Sequence, residues 1–140
     1  GLWNTNAGET SRHKHAIGGA GIRQLYNIVP ESAAPLATRD IAQVAKSTVF
    51  NFQPDALCVS GLTAGTETDA SILTAVKGAV ADTPVFANTG VRTTNVAEQL
   101  SIADGAVVGT TFKRDGHIWN EVEEKRVAEF VAAVREVRGQ

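Results

Sequence analysis

Two short stretches of this chain combine glycine, threonine and a basic residue: Asn88-Thr89-Gly90-Val91-Arg92 and Gly109-Thr110-Thr111-Phe112-Lys113. That grouping suits an anion. Glycine lets main-chain N–H groups approach a ligand with no side chain in the way. Threonine adds hydroxyl donors, and lysine adds a positive charge. The free N–H groups at the start of a following helix attract a phosphate further. Thr89, Gly90, Gly109, Thr110, Thr111 and Lys113 are therefore the candidate phosphate-binding residues. A third stretch, Ser60 to Asp69, holds Gly61 and Gly65 with Thr63, Thr66 and Thr68. It lacks the lysine of a P-loop. Ser60, Gly61, Thr63 and Gly65 are expected to form a ligand loop, the plainer reading being a polar turn with Asp69 as helix cap. Asn27 and Asn88 could hydrogen-bond the reacting part of a ligand, and Glu31 could act as a general base there. The last role depends on burial, which raises a carboxyl pKa toward working pH; without it Glu31 is a solvated loop acid.

Other reactive side chains carry less. His13 and His15 are two apart on an expected helix and point in different directions, and no carboxylate or cysteine cluster supports a metal site. No cofactor is expected. His117 reads as a surface histidine and Cys58 as a core residue within a strand. Ser60 has no G-x-S-x-G elbow around it, so a serine nucleophile is not expected. The charged run Glu121 to Arg126 reads as the solvated face of a last helix, and Trp3 and Trp119 as packing residues.

Positioning these groups falls to four apolar runs that read as strands: Ile22 to Ile28, Ala56 to Ser60, Pro84 to Asn88 and Gly105 to Gly109. The middle two are nearly continuous in apolar character, as parallel strands covered on both faces should be. Helical stripes separate them: Ile41, Val44, Ala45 and Val49; Ile72, Leu73, Val76 and Val80; and Val127, Phe130, Val131, Val134 and Val137. A polar helix is expected over Leu2 to Ala16, and a short one through Val96 and Leu100 with Thr93 or Thr94 as its cap. Asn120 and Glu123 resemble a capping box for the last helix. Strict alternation of helix and strand implies a parallel sheet with right-handed crossovers. Two architectures satisfy it, an open doubly wound sheet of flavodoxin type and half of a closed barrel. In both, ligands gather at the C-terminal ends of the strands, where all the stretches above lie.

The remaining properties bound the reading. At 140 residues the chain is one domain's length. A net charge of -2 gives no electrostatic case for nucleic acid, and no apolar run is long enough to cross a bilayer. The single cysteine cannot form an intrachain disulfide, which fits a cytoplasmic location. Methionine is absent, so Gly1 is not expected to be the natural N-terminus.

Several segments resemble the BtpA/SgcQ family. They are Asp55 to Gly65, Pro84 to Val91, Ala103 to Lys113, Asn27 to Glu31, Arg39-Asp40-Ile41 and the opening Gly1 to Thr5. The resemblance runs over essentially the whole chain. It implies an α/β fold, the (β/α)8 TIM barrel, with residues 1–140 forming its C-terminal half of four βα units with parallel strands. It also implies two functions. One is a predicted barrel enzyme that belongs with sugar metabolism, which, taken with the glycine and threonine loops, would act in sugar-phosphate-type metabolism on a phosphorylated small molecule. The other is a non-catalytic factor for photosystem I biogenesis or stability. Half a barrel leaves two sheet edges unpaired, so a homo-oligomer or pairing with the missing N-terminal half is expected.

Overall fold

The computed structural model describes residues 1–139. Helices and strands alternate as α1 (Ala7–Ala16), β1 (Leu25–Val29), α2 (Ile41–Phe52), β2 (Ala56–Val59), α3 (Ala70–Ala79), β3 (Val85–Ala87), α4 (Val96–Ile102), β4 (Gly105–Ala106) and α5 (Glu124–Arg138), with two 3-10 turns, Thr110–Phe112 and Arg114–Gly116, before α5. The four strands form one parallel sheet in the order β1-β2-β3-β4. That order decides between the two architectures. A flavodoxin-type sheet reverses its winding and places helices on both faces. Here each crossover leads to the adjacent strand, and connections of one hand then collect the helices on one face, where α2 packs on α3, α3 on α4 and α4 on α5. These are four βα units of a (β/α)8 barrel.

The core lies between sheet and helices. Leu57, Val59, Val85 and Ala87 point from the strands toward Ala45, Leu73, Val76 and Phe130. Alternation along each strand sends the other residues to the opposite face. Asn27, Cys58, Phe86 and Gly105 are mutual register partners and form one layer there. A side chain at Gly105 would press on the Phe86 ring. Burial raises the Cys58 thiol pKa, in keeping with a packing role. Leu25 and Val107 are 42% and 44% exposed, so this inner face is only partly covered.

Local signals explain the helix starts. Asn6, Asp40 and Asp69 each accept a main-chain N–H of the first turn of α1, α2 and α3. The Asn6 cap starts α1 at Ala7, later than the Leu2 expected. Two other expected caps differ. Neither Thr93 nor Thr94 caps α4; Asn95 holds that position, its Oδ1 accepting the Arg92 N–H. The Asn120–Glu123 box does not form, because the Glu123 N–H donates to the Phe112 carbonyl and Asn120 Nδ2 to the Arg114 carbonyl. The strands are also shorter than expected. β1 starts at Leu25 and β4 ends at Ala106, since a ladder exists only where a neighbour pairs. Trp3 and Trp119 are exposed rather than packed.

At the N-terminal end of the sheet one device occurs twice. The main-chain N–H of Asp55, just before β2, donates to the carbonyl of Gln24, just before β1, and the Asp55 carboxylate accepts the Gln24 N–H in return at 2.8 Å. Asp104, just before β4, does the same with Val85 at the start of β3. Arg23 pairs with Asp55 and Lys77 with Asp104. The Gln24 amide first, then the Arg23 guanidinium, hold the Asp55 carboxyl below its ordinary pKa. Burial opposes ionisation of Asp104, but the Lys77 ammonium and the Val85 amide outweigh it and lower the pKa. A carboxyl with a lowered folded-state pKa contributes its full stability above its unfolded value and loses it as pH falls through the folded one. Asp104→Ala should therefore cost about 1 kcal/mol at pH 7. Denaturant unfolding of the two proteins should converge once the pH drops well below 3.8.

Candidate functional site

An open cavity of about 760 Å³ lies at the C-terminal ends of the strands, lined by residues of the loops that follow β1, β2, β3 and β4 and by the start of α5. It collects Asn88, Thr89, Gly90, Gly109, Thr110, Thr111 and Lys113, with Gly65 on one side and Glu31 at the rim. Asn27, Ser60, Gly61 and Thr63 lie outside the lining; Ser60 is buried beside it, its Oγ accepting Asn27 Nδ2 at 2.8 Å and Asn88 Nδ2 at 2.9 Å. Arg92, Thr66 and Arg126 also line the cavity. The sequence offered no signal for Arg126, read there as part of a solvated face. It sits in the first turn of α5, and its Nε donates to the Thr111 carbonyl at 2.9 Å. Only the fold brings that turn beside the loop after β4.

The loops after β2 and β3 are locked together. Thr89 Oγ1 accepts the Gly61 N–H at 2.6 Å and donates to the Thr66 carbonyl at 2.8 Å. Thr68 Oγ1 donates to the Val59 carbonyl. The Arg92 guanidinium donates to the Gly65 carbonyl. Gln99, fully buried on α4, donates to the Thr68 carbonyl and to Glu67. Gly61 and Gly90 lie so close to the Thr66–Glu67 main chain that a Cβ at either would overlap it. Gly90 in addition has φ +67°, a left-handed conformation that favours glycine. Two expected hydroxyl donors are thus already engaged, Thr89 with Thr66 and Thr111 with the Val91 carbonyl at 2.6 Å. Thr110 Oγ1 and Lys113 Nζ make no hydrogen bond or ion pair among the described residues. The main-chain amides of Gly109, Thr110 and Thr111 likewise have no partner among the described residues, whereas those of Phe112 and Lys113 close the turn onto the Gly109 and Thr110 carbonyls. Gly109 differs from Gly90, since a side chain there would meet open space.

Glu31 is exposed, so the described residues do not supply the burial that a general-base role requires. Its carboxylate lies 3.5 Å from Asn27 Nδ2. Among the described residues no group of three His, Cys, Asp or Glu side chains is placed to hold a metal ion, and no helix is long and apolar enough to cross a membrane.

A parallel sheet with helices on one face and a cavity at its strand ends defines a barrel-type α/β protein. The BtpA family model matches residues 1–136, and the chain belongs to that family. It is 59% identical over 138 residues to the sgc region protein SgcQ of Escherichia coli, covering 99% of this chain and 52% of that protein. It is 26% identical over 136 residues to the photosystem I biogenesis protein BtpA of Synechocystis sp., covering 97% of this chain and 47% of that protein. The chain thus spans about half the length of these relatives. Among solved structures, N-(5'-phosphoribosyl)anthranilate isomerase from Pyrococcus furiosus aligns at a TM-score of 0.62 with 16% identity, over 91% of this chain and 57% of that one. The native KDPGal structure aligns at 0.63 with 22% identity, over 98% and 58%. Both are TIM-barrel-type, which agrees with the strand order.

The two glycines should respond differently to substitution. Gly90→Ala meets both the left-handed φ and the Thr66–Glu67 backbone, and should destabilise by about 3 kcal/mol or prevent folding. Gly109→Ala should shift stability by less than about 1 kcal/mol. Thermal unfolding of the two variants distinguishes them.

Proposed function

We propose that the cavity binds the phosphate of a small phosphorylated metabolite, in a barrel enzyme of sugar-phosphate-type metabolism. The observation that carries this reading is the convergence of Lys113, Thr110 and the open main-chain turn at Gly109 on a cavity at the ends of β3 and β4. Loops after the last two strands of a barrel are where phosphate sites recur. The residues 88–95 and 107–113 take those places if the four units are the C-terminal half, as the family resemblance implies. The phosphate would lie against Gly90, Gly109 and Thr110 with Lys113 supplying charge, while Asn88 and Glu31 face the rest of the ligand. The single buried thiol agrees with a cytoplasmic setting. The alternative, a non-catalytic factor for photosystem I biogenesis, draws support from the name of the Synechocystis relative alone.

A cavity carboxylate placed beside the turn at Gly109 would repel an anion while occupying open space. Gly109→Asp should therefore abolish phosphate-ester binding in the full-length natural protein and leave its thermal unfolding intact. Isothermal titration with inorganic phosphate and a sugar phosphate tests this, and unchanged binding refutes the reading.

The partly covered inner face and the free edges of β1 and β4 need a second set of strands. That set is the N-terminal half or, for residues 1–140 alone, a second copy. Sedimentation of the isolated 140-residue chain should show a dimer or larger species. A stable monomer would count against barrel closure.

A further inference from the structure

Arg126 stands in the first turn of α5 among several acids, yet it pairs with none of them among the described residues. Glu123 and Glu129 lie three positions before and after it, a spacing that allows ion pairs on a helix. Glu129 pairs with Lys125 instead. The Arg126 guanidinium reaches over the turn after β4, where Nε donates to the Thr111 carbonyl at 2.9 Å. A guanidinium holds its N–H donors in a planar fork. Those on Nη1 and Nη2 have no partner among the described residues. The end of the fork, and not only its stem, is at the cavity wall. Nη2 lies 3.6 Å from where a Cβ on Gly116 would stand, and Gly116 and Arg126 both line the cavity. The Nε bond fixes the plane of the group and leaves the Nη1–Nη2 edge, which matches two oxygens of one phosphate. Arg126 is half-buried, and a charge that gives up water gains most from an anion in return.

We infer that Arg126 is a ligand-binding residue, the second cation on the phosphate beside Lys113, and that the site takes a phosphate monoester as its dianion. The inference rests on the phosphate site proposed above and adds the residue that sets its charge. Arg92, Lys113 and Arg126 line the cavity against one carboxylate, Glu31, so three positive charges less one negative leave a surplus of two. A monoester carries a charge of roughly -1.5 to -2 at pH 7, which balances that surplus. A phosphodiester carries a single negative charge and leaves half of it uncompensated.

The test measures methyl phosphate and dimethyl phosphate by isothermal titration in the full-length natural protein, Arg126→Gln and Arg126→Lys. Methyl phosphate has no other anionic group, so binding that depends on Arg126 there assigns the fork to phosphate and not to a carboxylate elsewhere on a ligand. Wild type should bind methyl phosphate about tenfold more tightly than dimethyl phosphate. Arg126→Gln should weaken methyl phosphate about tenfold and dimethyl phosphate far less. Both variants lose the Nε bond to Thr111, and only lysine keeps the charge. Arg126→Lys should therefore fall between wild type and Arg126→Gln. The ratio of the two esters is read within each protein, so a partial loss of fold cancels. Methyl phosphate affinity that is unchanged in Arg126→Gln overturns this inference and leaves the phosphate site standing. An equal fall for both esters, or equal affinities in the two variants, makes Arg126 a brace for the turn and also overturns it. Wild type that binds neither methyl phosphate nor inorganic phosphate defeats the phosphate site, and this inference with it.

Discussion

The arrangement at the strand ends depends on one close approach, that of the Gly61 and Gly90 main chains to the Thr66–Glu67 main chain. With no side chain between them, two neighbouring loops become a single wall. Thr89 bridges its two sides through one hydroxyl, and Gln99 anchors it from the buried face of α4. Loops usually owe their mobility to exposed main-chain groups with few packed contacts. Here those groups find partners inside the wall, and the cavity has one rigid side on which ligand donors can be preorganised.

The other side is built differently. The two 3-10 turns and the start of α5 form it, with Arg126 holding the Thr111 carbonyl and an antiparallel bridge joining Lys113 to Val122. Thr110 and Lys113 project from this side with no partners among the described residues, in contrast to the threonines of the locked wall. The division of labour between threonines follows from position. Those between loops tie the wall together, and the Thr110 hydroxyl on the open turn carries no partner among the described residues.

Much of this was legible in the sequence. Alternating apolar runs and helical stripes placed every helix and strand in the right order, because burial dictates periodicity. The glycine and threonine clusters marked the loops that line the cavity. The reason for Gly90 was not legible: its role as a site of loop-to-loop contact depends on residues 66 and 67 lying across it, and sequence spacing does not report that. Arg126 was hidden for the same reason, since its charged neighbours made it look solvated. The expected cap of α5 did not form because the Arg114 carbonyl takes Asn120 Nδ2 and the Phe112 carbonyl takes the Glu123 N–H, while the cap of α4 falls one residue further on, at Asn95. Strand ends were overextended because an edge strand ends with its partner and not with its apolar run.

The duplicated aspartate device at the opposite end of the sheet bears on evolvability. Asp55 and Asp104 set strand alignment far from the cavity, through bonds that involve none of its lining. Strand alignment and cavity lining are therefore written in separate residues. The exposed segment 31–39, between β1 and the Asp40 cap of α2, can change in length and composition without disturbing how the strands meet. Change in that segment would reshape the cavity rim at Glu31 and leave the aspartate pairs unaltered.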